Sequence, residues 1–278
     1  MTNDIRQVAH PDAVRRFDTT ELRHHFLIEG VFKPGEVSLT YSHIDRLVVG
    51  GAMPVVGSLP LPASKAIGTD SFLQRRELGI VNVGGPGRVR VGETGYDMRS
   101  RDALYIGMGA GEVSFESTDG AAPAKFYLVS TPAHARHDTV LISADKAKKV
   151  KLGEDRTANK RTINQYIHPD VCRSCQLLLG LTEFEEGSIW NTMPAHVHDR
   201  RSEVYLYFDL PEDQRVIHLM GEPQETRHLV VANEEAVLSP GWSIHSGVGT
   251  SRYAFIWAMG GDNQDFTDMD MIAIRDLK

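Results

Sequence analysis

Two histidines one residue apart, a glutamate shortly after them and a third histidine behind a Pro-Gly pair constrain this chain more tightly than anything else in it. His196 and His198 stand on the same face of any β-strand that holds them, because side chains alternate along a strand. Glu203 follows after a gap long enough for a tight turn to return its carboxylate from the next strand. His245 comes after Pro240-Gly241, where a returning strand would begin. A His-x-His pair alone is weak evidence in a chain with 12 histidines. With the glutamate and the Pro-Gly-x3-His segment added, several independent requirements are met together. Three imidazole nitrogens and one carboxylate oxygen suit zinc, iron, manganese, nickel or cobalt and are poor for calcium. A six-coordinate metal held by four protein ligands keeps two adjacent positions for substrate or water.

Such a site needs a strand-rich frame, and the sequence provides one. Short apolar or alternating runs bounded by Gly and Pro recur at 37–41, 44–49, 78–83, 88–91, 103–106, 112–115 and 125–130. They resume at 162–167, 177–183, 202–208, 216–220, 228–231, 236–238 and 253–259. Many short strands with regular turn signals imply an all-β sandwich or barrel. His10-Pro11-Asp12 and Thr19-Thr20-Glu21 mark two short helices ahead of them. The polar segment from Asp138 to Arg161 is expected to be a linker or a surface excursion. Asp102–Gly107 can be laid on Pro240–His245, and 125–130 on 253–258, which predicts two copies of one barrel unit. In that alignment Gly107, without a donor atom, stands where His245 stands. The expected division is therefore a metal-free N-terminal barrel over 1–140 and a metal-binding barrel over 141–278.

The formal charge of −7 and a pI near 5.9 speak against non-specific nucleic-acid binding, which needs a basic face. An anionic substrate would have to find local positive charge against the global field. There is no apolar run of roughly 18 residues for a membrane span and no apolar leader behind the N-terminus, so a cytoplasmic protein without membrane contact is expected. Cys172 and Cys175 are spaced Cys-x2-Cys, but the chain has no further cysteines to complete a zinc ribbon. Reduced, unbridged thiols follow from the cytosolic setting.

His196-x-His198-x4-Glu203 with Pro240-Gly241-x3-His245 resembles the two halves of the cupin signature. The opening from His10 to Arg23 and the run from Arg200 to Phe208 resemble one cupin family in particular, the 5-keto-4-deoxyuronate isomerases (4-deoxy-L-threo-5-hexosulose-uronate ketol-isomerases) of bacterial pectin breakdown. The resemblance spans essentially the whole chain and all four metal positions are filled. It implies a bicupin of two jelly-roll-like β-barrels, one zinc ion per chain at His196, His198, Glu203 and His245, and a homohexamer. It also implies conversion of 5-keto-4-deoxyuronate to 3-deoxy-D-glycero-2,5-hexodiulosonate, a small anionic keto-uronate isomerised through a metal-stabilised enediolate.

Around the ligands, Tyr205 and Tyr207 alternate with Glu203 and should face inward, as substrate-orienting or proton-moving phenols or as core aromatics. Thr182, Glu183 and Glu185 are candidate general bases. Arg161, Arg173, Arg200, Arg201 and Arg227 are candidates for clamping a carboxylate. His43, His134, His137, His168, His218 and His228 lack a partner at ligand spacing. Two other classes remain open to a metal-bearing cupin: a metal-dependent dioxygenase, and a non-enzymatic sugar-binding bicupin.

Overall fold

The structure, a computed structural model, describes residues 4–262 and 265–278. It is built of short strands, with two α-helices at Pro11–Val14 and Thr19–Phe26. The second helix starts where Asp18 accepts from the Glu21 backbone N–H while Glu21 reaches back to the Asp18 N–H, a reciprocal cap that satisfies two otherwise orphaned donors. The chain divides into two compact units. One comprises the N-terminal strand, Gly30–Lys148 and Tyr166–Leu178, and the other Gln7–Glu29, Lys149–Gln165 and Leu179–Lys278.

The first unit contains a seven-stranded sheet in the order Asp4–Arg6, Val37–Ser42, Val48–Ala52, Phe126–Pro132, Arg76–Asn82, Ala103–Ile106, Val140–Ile142. Its four-stranded sheet runs Ser58–Pro60, Val113–Ser117, Gly87–Val91, Thr94–Met98. Inward residues of both sheets, among them Ile80, Leu104, Phe126, Val89 and Phe115, form one apolar core. Burying the inner faces of two sheets against each other is what makes this a jelly-roll-like sandwich. The second unit repeats the plan. Its larger sheet is Lys148–Leu152, Arg161–Ile167, Leu178–Phe184, Ala254–Gly261, Arg201–Phe208, Glu235–Ser239, Leu27–Ile28, and its smaller one Trp190–Asn191, Ser246–Gly249, Val216–Glu222, Glu225–Val231. A two-stranded ladder pairs His196–Val197 with Asp270–Met271.

Three expectations need correction. A single cut at residue 140 does not separate the units, because backbone pairing of Leu27–Ile28 with Val237 and Ala236 draws the N-terminal helices into the second. The segment from Asp138 to Arg161 carries two strands, Val140–Ile142 and Lys148–Leu152, at the edges of the two large sheets; the first is too short to show a pattern, and the exposed lysines of the second concealed it. The repeat also has a different registration. Ala103–Ile106 occupies the sheet place of Glu235–Ser239, whereas Pro240–His245 lies in the connection leading to Ser246–Gly249. Gly107 therefore opens the matching connection and does not stand in for His245. A Cβ at Gly107 would lie 1.9 Å from the His137 carbonyl oxygen, so close backbone approach accounts for the glycine.

The same sheet order sets Glu77 in the place of Glu203. Counted from Phe126↔Asn82 in one unit and Ala254↔Phe208 in the other, each glutamate is the sixth residue along. Glu77 is fully buried and binds only protein donors: Tyr105 Oη at 2.8 Å, Thr131 Oγ1 at 3.0 Å, and the backbone N–H groups of Cys175, Gln176 and Leu177 at 2.6, 2.9 and 2.9 Å. These bonds pin the segment with both cysteines, which are unbridged and buried; burial pushes the Cys172 thiol up to about 12 and disfavours a reactive thiolate. Replacing Glu77 by Ala strands three buried N–H groups and two hydroxyls, and a loss of about 3–5 kcal/mol in denaturant unfolding is expected. A loss below about 1 kcal/mol, the range of a surface contact, would contradict the anchoring role.

Candidate metal centre

Strand pairing assembles the four ligands from three places. His196 lies on the short strand paired to Asp270–Met271, with Met271 opposite it. Glu203 lies near the start of Arg201–Phe208, a strand buried at every position between the partners Ala254–Gly261 and Glu235–Ser239. His245 ends the Pro-Gly connection. Gly241 donates close approach there: its carbonyl accepts the His198 N–H at 2.9 Å, and a Cβ on it would meet the His198 carbonyl oxygen at 2.3 Å. The Pro-Gly pair thus brings the His245 segment against the His198 segment.

The donor atoms of His196, His198, Glu203 and His245 all lie within 4.8 Å of one another. Glu203 Oε2 is 2.8 Å from His245 Nε2 and 3.2 Å from His198 Nε2, and the Nε2 atoms of His245 and His196 are 2.9 Å apart. Ligands about 2.1 Å from a common centre at right angles stand about 3 Å apart, so the spacing is that of donors around one cation. All four side chains are under 9% exposed, which leaves water little room to satisfy them. Among the described residues this is the one group of His, Cys, Asp or Glu placed to share an ion.

Hydrogen bonds behind the ligands agree. His198 Nδ1 donates to the Asp268 carbonyl oxygen at 2.8 Å, which fixes the tautomer with the Nε2 lone pair facing the cluster. Burial, then the adjacent His245, pushes the His196 pKa down to about 2, so that imidazole stays neutral. Burial opposes ionisation of Glu203, but His245 and His198 outweigh it and hold the carboxyl well below its ordinary range. A neutral imidazole and an ionised carboxylate are the states a cation needs. Arg201 holds Asp268 in place: its guanidinium donates to the carbonyls of Asp265, Phe266 and Asp268, while Arg200 forms a bidentate ion pair with the Asp268 carboxylate.

A cavity of about 280 Å³ opens beside the cluster. His196, Glu203, Tyr205, Thr182, Thr192 and Arg161 line it together with Trp257, Phe255, Phe266 and several methionines. Tyr205 hydrogen-bonds Thr192 Oγ1 at 3.0 Å and burial raises its pKa well above 10, so the phenol stays protonated. Thr192 holds a φ of 47°, a conformation that costs a β-branched residue energy and is found where function demands it.

The remaining candidates lie elsewhere. Tyr207 faces inward but is absent from the cavity lining; its hydroxyl pairs with His218 Nδ1 at 2.7 Å, and burial lowers that histidine to about 3. Glu183 alternates away from Thr182, so it points off the cavity side and accepts from Asn164 Nδ2 at 2.9 Å. Glu185 and Arg173 are exposed, and Arg227 is bound to the carbonyls of Val14, Arg15 and Phe17. Of the five arginines, Arg161 alone lines the cavity. Sequence reasoning missed Thr192, Trp257 and Asp268. Thr192 lay four residues ahead of His196, but nothing in the sequence tied Asp268 to His198.

Residues 26–274 match the KduI/IolB family. The chain belongs to that family. It is 57% identical over 274 residues to 4-deoxy-L-threo-5-hexosulose-uronate ketol-isomerase 1 of Rhizobium meliloti, covering 99% of this chain and 98% of that protein. It is 53% identical over 277 residues to the 4-deoxy-L-threo-5-hexosulose-uronate ketol-isomerase of Pectobacterium carotovorum subsp. carotovorum, covering 99% and 100%. Among solved structures it resembles an IolB-like protein of Salmonella typhimurium, with a TM-score of 0.72, 15% identity and coverage of 89% and 96%, a likeness of fold.

His198→Ala should keep the far-UV circular dichroism of the parent while retained divalent metal drops far below one ion per chain after dialysis. Full occupancy in that variant would remove His198 from the ligand set.

Proposed function

We propose that this chain is an aldose–ketose isomerase that converts 4-deoxy-L-threo-5-hexosulose uronate to 3-deoxy-D-glycero-2,5-hexodiulosonate in uronate breakdown. The observation that carries the reading is full-length identity above half to isomerases of that name, in a chain whose metal-type cluster meets a cavity of about 280 Å³ through His196 and Glu203. The reaction moves one proton between adjacent carbons and exchanges carbonyl for hydroxyl. A divalent metal held by His196, His198, Glu203 and His245 supplies the Lewis acidity that makes negative charge on the reacting oxygens affordable.

The chain's own groups do the rest. Tyr205, kept protonated by burial, presents an O–H to the cavity and donates to an oxygen as charge develops there. Thr192 orients that phenol, and Thr182 offers a second hydroxyl. Tyr207 stands one turn of the alternation deeper and supports Tyr205 from below, with ring centroids 6.1 Å apart. The wall formed by Phe255, Trp257 and Phe266 excludes water from the reacting carbons. Zinc is the metal we assign, because the isomerisation needs polarisation without net redox change and zinc has no redox chemistry. On family resemblance the proposal extends to a homohexamer working in the cytoplasm; no helix among the described residues is long and apolar enough to cross a membrane.

Tyr205→Phe removes one donor and is expected to lower kcat on the order of 100-fold or more, with metal content unchanged. Wild-type kcat in the variant would exclude the phenol from the chemistry. Turnover of the keto-uronate in the strict absence of oxygen, at the aerobic rate, separates an isomerase from a cupin dioxygenase; dependence on oxygen would reject the isomerase reading.

A further inference from the structure

The substrate class named above poses an orientation problem. Its chain carries an aldehyde beside a hydroxyl at one end and a ketone beside a carboxylate at the other. Both ends can chelate a divalent cation through two oxygens, and the keto-carboxylate end, being charged, is the stronger chelator. Only the aldehyde end reacts. Some feature of the cavity must hold the carboxylate away from His196 and Glu203.

Arg161 has the properties required. Among the described residues it has no acidic partner, and its Nη1 donates to a backbone carbonyl, Asn159 O, at 2.8 Å. It is the one Lys or Arg lining the cavity. Burial lowers its pKa, yet a guanidinium remains charged in proteins. The ionisable groups whose field reaches it are the phenols of Tyr205 and Tyr253, which burial keeps protonated and which therefore do not neutralise it. A cation left in an apolar pocket without a counter-ion is costly to bury, and the cost is recovered when an anion arrives. Arg161 is half-buried, whereas Arg201, the fully buried arginine near the site, is spent on three backbone carbonyls.

Strand order supplies a ruler. The strand holding Arg161 lies three places from the strand holding Glu203, through Leu178–Phe184 and Ala254–Gly261. Three spacings of about 4.8 Å separate their backbones by about 14 Å along the sheet. That separation leaves room between the two side chains for a six-carbon chain, which is roughly 6 Å end to end with bonds of about 1.5 Å.

Resting on the isomerase reading, we propose that Arg161 anchors the substrate carboxylate and thereby determines which end of the keto-uronate reaches the metal-ligand cluster. Arg161 is a specificity-determining residue; the clamp is bidentate, so Lys replaces its charge and not its fork.

The test compares wild type, Arg161→Met and Arg161→Lys, each with its metal content measured. Substrates are the keto-uronate and the neutral chain with a hydroxymethyl group in place of the carboxylate. Wild type should favour the uronate, and Arg161→Met should lose on the order of 100-fold in kcat/KM for it, chiefly in KM, while the neutral chain is turned over as before. Arg161→Lys should recover part of the loss. Calorimetric titration with 2-oxohexanoate, which has the keto-carboxylate end and no aldehyde, reads the clamp without turnover, and binding should weaken in Arg161→Met. An unchanged preference for the uronate, equal loss on both substrates, metal loss from Arg161→Met, or undiminished 2-oxohexanoate binding would each overturn the anchor. Wild type that isomerises neither chain, but binds 2-oxohexanoate through Arg161, would reject the isomerase reading and leave the anion anchor standing.

Discussion

Everything in the second unit is arranged around a charge that cannot be left alone. Glu203 is an ionised carboxylate on a strand buried along its whole length, and three imidazoles direct ring nitrogens at the same point. Burying such a group without compensation would cost several kcal/mol. In the first unit the glutamate at the matching sheet place, Glu77, is compensated by five protein donors. Around Glu203 the neighbours are three imidazoles converging on the same point, an arrangement that a shared cation would compensate. The same sheet position thus carries a structural anchor in one unit and a member of the metal-type cluster in the other.

The supports of that cluster reach far along the chain. His198 is oriented by the Asp268 carbonyl, Asp268 by Arg200 and Arg201, and His196 by pairing with Met271. The segment from Asp265 to Met271 therefore shapes the ligands from behind and, through Phe266, Met269 and Met271, walls the cavity. Polar reach into the cavity comes from few groups, Tyr205, Thr192, Thr182 and Arg161, set in apolar surroundings. That composition suits a deoxy keto-acid, which has few hydroxyls to satisfy and one carboxylate to hold.

Much of this was legible in the sequence. The ligand set follows from two short motifs because alternation on a strand and a Pro-Gly return are local geometry, and the inward direction of Tyr205 follows from its distance to Glu203. Strands with apolar alternation, such as Val216–Glu222, announce themselves, whereas Ser246–Gly249, composed of Ser, Gly and one Val, has no pattern and is held by pairing to Val216–Leu219. Val140–Ile142 was hidden by its brevity and Lys148–Leu152 by its exposed lysines. Gly107 was misplaced because a strand-turn-strand pattern tolerates sliding, and sheet order removes that freedom. Glu183 was a reasonable base until strand parity turned it away from the cavity. The importance of Arg161 over its four rivals lies in the partners each arginine has in three dimensions, which no spacing in the sequence records.

The central claim is that His196, His198, Glu203 and His245 together hold one divalent metal on which isomerisation depends. Chelator-stripped protein titrated with zinc, with bound metal and isomerase activity followed on the same samples, tests it most directly. Negligible activity is expected in the stripped protein, with a rise in proportion to bound metal that ends at one ion per chain. Full activity in the stripped protein, or a second ion per chain required for turnover, would contradict it.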